Sequence, residues 1–170
     1  KSHIADVIAG IAPHDSVERF EGLGVTVISE EAQFTSAKVV ASRHYEVKAR
    51  HFVIATGSHP FIPPIDGLDS TPFFTNESIF QSQVKPHHLI IIGGGPIGME
   101  MAQAHARLGC EVTVIEGLKV MGRDDPELTT ILKDQLMKEG ISIIEGTGVT
   151  SCAKVGEEIE VHLADERVIR

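Results

Sequence analysis

The sequence predicts an α/β protein in which a parallel sheet with helices follows a smaller part rich in antiparallel strands. In the second half, strand-like apolar runs alternate with segments whose apolar residues recur at helical spacing. A glycine-rich turn joins the first of these runs to its helix. In the first half, the apolar runs are short, closely spaced and rich in Val, Ile and aromatic residues, which is typical of an antiparallel meander.

The first half begins with one helical segment. Residues 3–11 carry apolar side chains at helical spacing, and Pro13 ends the segment. The chain starts at Lys1 with no initiator Met and no signal region, so we expect this helix to be the tail of a longer one and the chain to be an internal fragment of a larger protein. Four β-type runs then predict a small meander followed by one buried strand: 25–28, 38–40, 45–49 and 51–55.

A connection between two domains is predicted at residues 56–88. Glycine and proline recur throughout this stretch, and both residue types interrupt regular secondary structure. Only residues 76–80 have the composition of a short helical turn. We therefore expect the chain to pass from one domain to the next within this segment.

The second half is predicted to alternate strands and helices and to end in another meander. Residues 89–92 form a continuous apolar run, as a strand buried on both faces requires. The helix after the glycine turn ends at Gly109. Asp125 caps the next helix, Pro126 is its first residue, and Gly140 ends it. The remaining strands are expected at 112–115, at 141–144, and in the meander from Gly146 onward.

Composition excludes several classes of function. The 170 residues carry a net charge of −9, which argues against a nucleic-acid-binding surface, and no apolar run approaches the length of a membrane-spanning helix. Two cysteines, Cys110 and Cys152, are too few for a disulfide framework or a zinc site. We therefore expect both to be buried apolar residues of a cytoplasmic protein without a metal site.

The glycine turn carries the strongest chemical signal. Gly93, Gly95 and Gly98 follow an apolar strand and open a helix, which is the context that a dinucleotide-binding turn requires. Gly93 permits the tight turn, Gly95 leaves room for a pyrophosphate, and Gly98 lets the helix pack on the strand. Pro96 suits the first turn of the helix. The residues expected at the cofactor are Gly93, Gly94, Gly95, Pro96, Ile97 and Gly98.

Two carboxylates near this turn have different interpretations. Glu116 closes the second strand of the parallel sheet, where a carboxylate accepts hydrogen bonds from the ribose hydroxyls of NAD and repels the 2′-phosphate of NADP. A plain strand–helix turn with a solvated Glu116 is the alternative. Glu100 lies in the first part of the helix, where its spacing fits a solvated carboxylate as well as a functional one.

An ordered set of motifs along the whole chain resembles the flavoprotein disulfide reductases, the pyridine nucleotide-disulfide oxidoreductase family that includes dihydrolipoamide dehydrogenase and mercuric reductase. The set comprises ERFEGLGVTVI, HFVIATGSHPFIPPI, TNESIF, HLIIIGGGPIGMEMAQAHARLGCEVTVIE and RDDPEL. The resemblance implies a partial FAD-binding domain at residues 1–80 and a Rossmann-like NAD-binding domain at residues 81–170. It also implies FAD and NAD as cofactors and a homodimeric parent protein.

The resemblance assigns further site residues. Ala55, Thr56, Gly57 and Ser58 match the second FAD motif of the family, in which the backbone approaches the flavin nucleotide. Ala32 falls where the family contacts the adenine of FAD, and Val149 falls where it contacts the adenine of NAD. Glu100 matches a family Glu near the nicotinamide and the flavin, which favours the functional interpretation of this residue.

The sequence also departs from the family pattern. It contains no first FAD glycine turn, no redox-active cysteine pair and no C-terminal His–Glu pair. We therefore expect the chain alone to be inactive, and its parent to pass hydride from NADH to FAD and electrons on to a disulfide, as dihydrolipoamide dehydrogenase does. The alternatives are an NADH oxidase or another FAD-dependent NADH reductase without the cysteine pair, or an isolated dinucleotide-binding module.

Overall fold

The computed structural model describes residues 2–170, and its Cα packing divides the chain into two compact units, Lys1–Ser58 and His59–Arg170. Each unit is described by itself. The predicted assignment of FAD binding to residues 1–80 and NAD binding to residues 81–170 stays a prediction, but residues 59–80 pack with the second unit. Within the described residues, no helix is both long and apolar enough to cross a membrane.

The first unit contains two helices followed by a three-stranded antiparallel meander. The segment predicted at 3–11 is helical, and its apolar side chains are exposed. The helix after it begins at Ser16, whose hydroxyl accepts a hydrogen bond from the Arg19 N–H at 3.2 Å. The elements are α1 (Ser2–Ile11), α2 (Val17–Gly22), β1 (Gln33–Ser36), β2 (Val39–Ala41) and β3 (Glu46–Lys48), in the sheet order β1-β2-β3.

Two strand predictions in the first unit are wrong. Residues 25–28 and 51–55 form no strand, whereas 33–36 do. Val53 is 92% exposed and Ile54 is 74% exposed, so the run interpreted as a buried strand lies on the surface. An apolar run forms a buried strand only when neighbouring strands pair with it, and no strand among residues 2–170 pairs with these two runs.

The second unit confirms the predicted alternation of strands and helices, and with it the α/β fold class. Three parallel strands lie side by side in the order β4-β5-β6, and a helix follows each of the first two. The second helix begins as predicted, with the Asp125 carboxylate accepting the Glu127 N–H at 2.9 Å. The elements are β4 (His88–Ile92), α3 (Pro96–Arg107), β5 (Glu111–Glu116), α4 (Pro126–Lys138) and β6 (Ser142–Glu145).

The parallel sheet carries an apolar core on each face. Helices α3 and α4 contribute to the core on one face, which includes Cys110, Val112 and Val114. The core on the other face contains Ile115 and Cys152, and the second meander contributes to it. Both cysteines are free and buried, as expected. The meander consists of β7 (Val149–Val155), β8 (Glu158–Leu163) and β9 (Val168–Ile169).

The prediction that β4 is buried on both faces is wrong. Its residues are half-buried and Ile92 is exposed, whereas residues 112–115 of β5 are fully buried. The difference follows from position, because β5 is the central strand of the three and β4 lies at one edge.

Part of the predicted connection packs on the second meander. We call residues 65–71 the strap. The Asp66 carbonyl accepts the Cys152 N–H at 2.8 Å, and the Leu68 side chain is buried in the core on that face of the sheet. Gly67 has a positive φ of 76°, and a Cβ at this position would overlap the Cys152 carbonyl oxygen. Further along the connection, a short 3-10 helix, Ile79–Gln81, overlaps the end of the helical turn predicted at residues 76–80.

The carboxylate of Glu139 and three donor side chains join the ends of the two helices in the second unit. Glu139 follows α4 and accepts hydrogen bonds from the Arg107 Nε and Nη2 atoms at 2.9 and 3.0 Å. Gln135 and Gln103 donate to the same carboxylate at 2.9 and 3.1 Å. These bonds, that from Arg107 above all, lower the pKa of Glu139 to about 2.

We expect the hydrogen bonds of Glu139 to make the free energy of unfolding depend on pH. Because the pKa of Glu139 is lower in the folded state, its contribution is complete above about pH 4.5 and is lost as the pH falls toward 2. Glu139→Gln should therefore lower the Tm at pH 7, and the Tm difference from the unaltered chain should shrink between pH 4.5 and 2. Thermal unfolding across this range measures it. The matched control is Glu157→Gln, at an exposed turn residue. A Tm difference that stays constant with pH would contradict the prediction.

Candidate nucleotide-binding site

The backbone of the glycine turn depends on two of its glycines. Gly93 has a φ of +111°, which side chains disfavour, and its N–H donates to the Ile115 carbonyl at 2.8 Å. A Cβ on Gly98 would overlap the Gly93 carbonyl oxygen and lie 3.5 Å from the Ile91 side chain. The first turn of α3 therefore lies directly against the end of β4, as the motif predicts.

Gly95 differs from Gly94 and Gly98 in having open space around it, and from Gly93 in having a negative φ. It is the N-cap of α3 in an extended conformation, and a Cβ built on it would meet nothing within 4 Å. No side chain caps the helix, and Pro96 is its first residue. The N–H groups of Ile97 and Gly98 lie in the first turn, where no intrahelical acceptor exists. Open space beside unpaired N–H groups and the positive end of a helix dipole fits a phosphate group.

Glu116 is brought to the turn as the sequence predicts. It ends β5, and one carboxylate oxygen accepts the Gly94 N–H at 2.8 Å. The other oxygen accepts the Leu118 N–H at 2.9 Å. A carboxylate has about four acceptor sites, so two remain for hydroxyl donors. The geometry fits the predicted ribose contact, which stays a prediction.

Sequence reasoning missed the loop that follows β5. The Met121 N–H donates to the Gly94 carbonyl at 2.8 Å, and a Cβ on Gly94 would lie 2.6 Å from Val120 Cγ2. Val120 is buried, and its own N–H donates to a Glu145 carboxylate oxygen at 2.7 Å. Met121 has a φ of +51°, which is uncommon for a residue with a side chain. Three apolar residues in this short loop, Leu118, Val120 and Met121, were the available signal that part of it is anchored.

An apolar groove of about 1050 Å³ runs along the exposed edge of β4 to the start of α3. The turn residues Gly95 and Ile97 line it, and Ile97 is more than half exposed. The groove therefore reaches the open space beside Gly95. Its apolar lining near the turn comprises Ile90, Ile92, Pro96 and Met101.

Two other residues predicted to contact a cofactor, Glu100 and Val149, form no side-chain hydrogen bond with the glycine turn. Glu100 is exposed on α3 and does not line the groove. Val149 is half-buried at the start of β7, where it packs against the core on the meander side of the sheet. Their proposed cofactor contacts stay predictions. The buried thiol of Cys152, whose pKa is raised by burial, lies in the same core.

The predicted FAD residues of the first unit occupy two separate settings. Ala32 lines a cavity of about 220 Å³ beside the meander, together with Glu30 and Phe52. The Glu30 carboxylate accepts a hydrogen bond from Ser42 Oγ at 2.6 Å and lies 2.8 Å from His44 Nδ1, and these two contacts lower its pKa. Ala55, Thr56, Gly57 and Ser58 are exposed, form no regular element and do not line this cavity.

The conformation of Gly57 fits the motif assigned to it. Its φ is +71°, and a Cβ there would meet nothing within 4 Å, so the backbone is open to close approach by a ligand.

Among residues 2–170, no three or more His, Cys, Asp or Glu side chains come together in a way that could hold a metal ion.

Comparison with known proteins gives consistent matches over most of the chain. Mercuric reductase from Shewanella putrefaciens is 38% identical over 146 residues, which cover 82% of this chain and 26% of that protein. Mercuric reductase from Streptomyces lividans is 39% identical over 113 residues, covering 66% of this chain and 24% of that protein. The chain thus spans about a quarter of the length of these curated relatives.

Solved structures show the same fold. The HOCl-induced flavoprotein disulfide reductase RclA from Escherichia coli superposes with a TM-score of 0.74 at 26% identity, covering 89% of this chain and 36% of that one. LpdA from Mycobacterium tuberculosis superposes with a TM-score of 0.75 at 23% identity, covering 92% and 37%, and supports the fold alone.

The family match extends across both units. Residues 8–170 match the family described as pyridine nucleotide-disulphide oxidoreductase. The match includes the glycine turn, Glu116 and the first-unit meander, so it covers every residue that the sequence placed at a cofactor. The chain belongs to the pyridine nucleotide-disulphide oxidoreductase family.

Proposed function

We propose that this chain provides nucleotide-binding parts of a flavoprotein oxidoreductase that takes hydride from NADH. The observation that carries the proposal is the open position above Gly95, next to a turn whose Gly94 amide is held by the Glu116 carboxylate. Membership of the family supports it, because members use FAD together with NAD or NADP. NAD rather than NADP is proposed from the charge of Glu116.

The residues of the turn have distinct proposed tasks. The N–H groups of Ile97 and Gly98 receive the pyrophosphate, and the remaining acceptor sites of Glu116 receive the ribose hydroxyls. The groove beside Ile97 supplies an apolar surface that keeps water from the nicotinamide side. When bound, NADH and FAD supply the hydride and electron chemistry, and the protein supplies binding and orientation.

The first unit is proposed to contact FAD. The backbone at Ala32 would meet the adenine, and the backbone of residues 55–58 would approach the flavin nucleotide. The positive φ of Gly57 and the open space beside it support the second contact. Val149 is proposed at the adenine of NAD, and Glu100 near the nicotinamide and the flavin.

The acceptor of the electrons is proposed to be a disulfide, as in dihydrolipoamide dehydrogenase. The name of one solved structure, a flavoprotein disulfide reductase, and the description of the matched family support this class. Cys110 and Cys152 are buried free thiols in different cores, so neither is proposed as the redox pair. An NADH oxidase or another FAD-dependent NADH reductase is the alternative. The whole protein is further proposed to be a cytoplasmic homodimer, and the chain alone to be inactive.

Titration with NADH and NADPH tests the nucleotide assignment. We expect the chain to bind NADH roughly tenfold to a hundredfold more tightly, because charge-assisted hydrogen bonds to Glu116 contribute about 1.5–3 kcal/mol each. Calorimetry at a fixed salt concentration gives both affinities. Equal or tighter binding of NADPH would contradict the choice of NAD, and no binding of either nucleotide would contradict the proposed function itself.

A further inference from the structure

We infer that Glu116 is a positioning residue for the glycine turn as well as the ribose contact, so that one carboxylate sets the phosphate site and the choice of nucleotide. This inference rests on the proposed function, because the turn is taken as the phosphate site. In addition, Glu116 has a role that exists before any nucleotide binds.

The hydrogen bonds of Gly94 support this role. Its N–H donates to Glu116 at 2.8 Å, and its carbonyl accepts from the Met121 N–H at 2.8 Å. Both polar groups of one glycine are therefore held from the end of β5 and the loop after it. Gly94 directly precedes Gly95, the residue beside the open phosphate position. A change in the Gly94 peptide would therefore be transmitted to the phosphate-binding backbone.

Burial shows why no other group can easily replace Glu116. Gly94 is buried, so water does not compete freely for its N–H. The Val120 side chain and the Glu116 Cβ close the space that a side chain on Gly94 would occupy. Without the carboxylate, the buried N–H would be left without an acceptor, and the turn would have to open to hydrate it.

The two roles of Glu116 predict opposite effects on an anionic ligand without ribose hydroxyls. If Glu116 only binds ribose, removing its negative charge should leave phosphate binding unchanged or make it tighter, because one repulsion is lost. If Glu116 also positions the turn, removing it should weaken phosphate binding. The direction of the change therefore separates the two.

The probe is 2′,3′-dideoxyadenosine 5′-diphosphate, titrated by calorimetry into the 170-residue chain. We expect Glu116→Ala to weaken its binding on the order of tenfold, the effect of one buried charge-assisted hydrogen bond. Glu116→Gln retains one acceptor oxygen and should weaken it less. Asp124→Asn, at an exposed loop residue, removes the same charge and should leave the affinity unchanged or slightly higher. Unchanged or tighter binding by Glu116→Ala would overturn the inference.

A measurement without ligand keeps the inference testable if the nucleotide assignment fails. Amide hydrogen exchange of Gly94 reports whether its N–H is held in the free protein. We expect exchange at Gly94 to be at least about tenfold faster in Glu116→Ala than in the unaltered chain, with exchange in the buried strand β5 unchanged. Equal exchange rates at Gly94 would show that Glu116 does not hold the turn, whatever the chain binds.

Discussion

Gly98→Ala is expected to destabilise the second unit by at least about 2 kcal/mol, the upper part of the range for overpacked positions. The added methyl group would overlap the Gly93 carbonyl oxygen, which belongs to the backbone and cannot move as a side chain can. Helix α3 would have to separate from the end of β4. The core residues Met99 and Ala102 on that helix would then lose part of their packing.

Denaturant unfolding, followed by circular dichroism, measures this effect. Gly95→Ala is the matched control, because it adds the same methyl group three residues earlier, where nothing lies within 4 Å. We expect its free energy of unfolding to stay within about 0.5 kcal/mol of the unaltered chain. If Gly98→Ala were as stable as Gly95→Ala, the close contact between α3 and β4 could not be as described.

Gly95→Val is expected to reduce NADH affinity at least a hundredfold while the fold stays intact. The Cβ of the new side chain finds free space in the protein alone, so the Tm should change little. The same space is where the pyrophosphate must approach the N–H groups of Ile97 and Gly98. A loss of about 3 kcal/mol in binding free energy corresponds to the expected change in affinity.

Calorimetry with NADH measures the affinity, and thermal unfolding shows whether the variant is folded. Gly22→Val makes the same substitution at a position of the first unit with no neighbouring atoms within 4 Å, and it should leave NADH affinity unchanged. Gly95→Ala should give an intermediate loss of affinity. Unaltered NADH binding by a folded Gly95→Val would show that the nucleotide lies elsewhere.

The second unit was predictable because its signals are local. Each parallel strand is a compact apolar run, and each helix carries its own start and stop residues, such as Asp125 and Gly140. The first unit was less predictable, since residues 25–28 and 51–55 have strand-like composition but lack a neighbouring strand. Strand composition describes what a segment can do when paired, and pairing depends on residues far away in the chain.

The candidate site, too, was predictable from the sequence only in part. Gly93, Gly98 and Glu116 were assigned from spacing, and the structure places all three at one turn. The hydrogen bond from the Met121 N–H to the Gly94 carbonyl was not predicted. Met121 has a positive φ in this loop, and the sequence does not signal one because residues with a side chain disfavour it. The sequence motif thus predicted the glycines that leave space, and it missed the backbone contacts that hold the turn in place.

The strap changes where the chain can be divided. Residues 65–71 look like linker by composition, yet Asp66 pairs with the Cys152 amide and Leu68 fills part of the core. A cut after residue 80 would therefore remove a structural part of the second unit and leave the Cys152 N–H without its acceptor. A gene truncated to begin at His59 keeps the strap, so the second unit, when expressed alone, should begin there. For protein engineering, the strap must be kept with the second unit and cannot be treated as a replaceable linker.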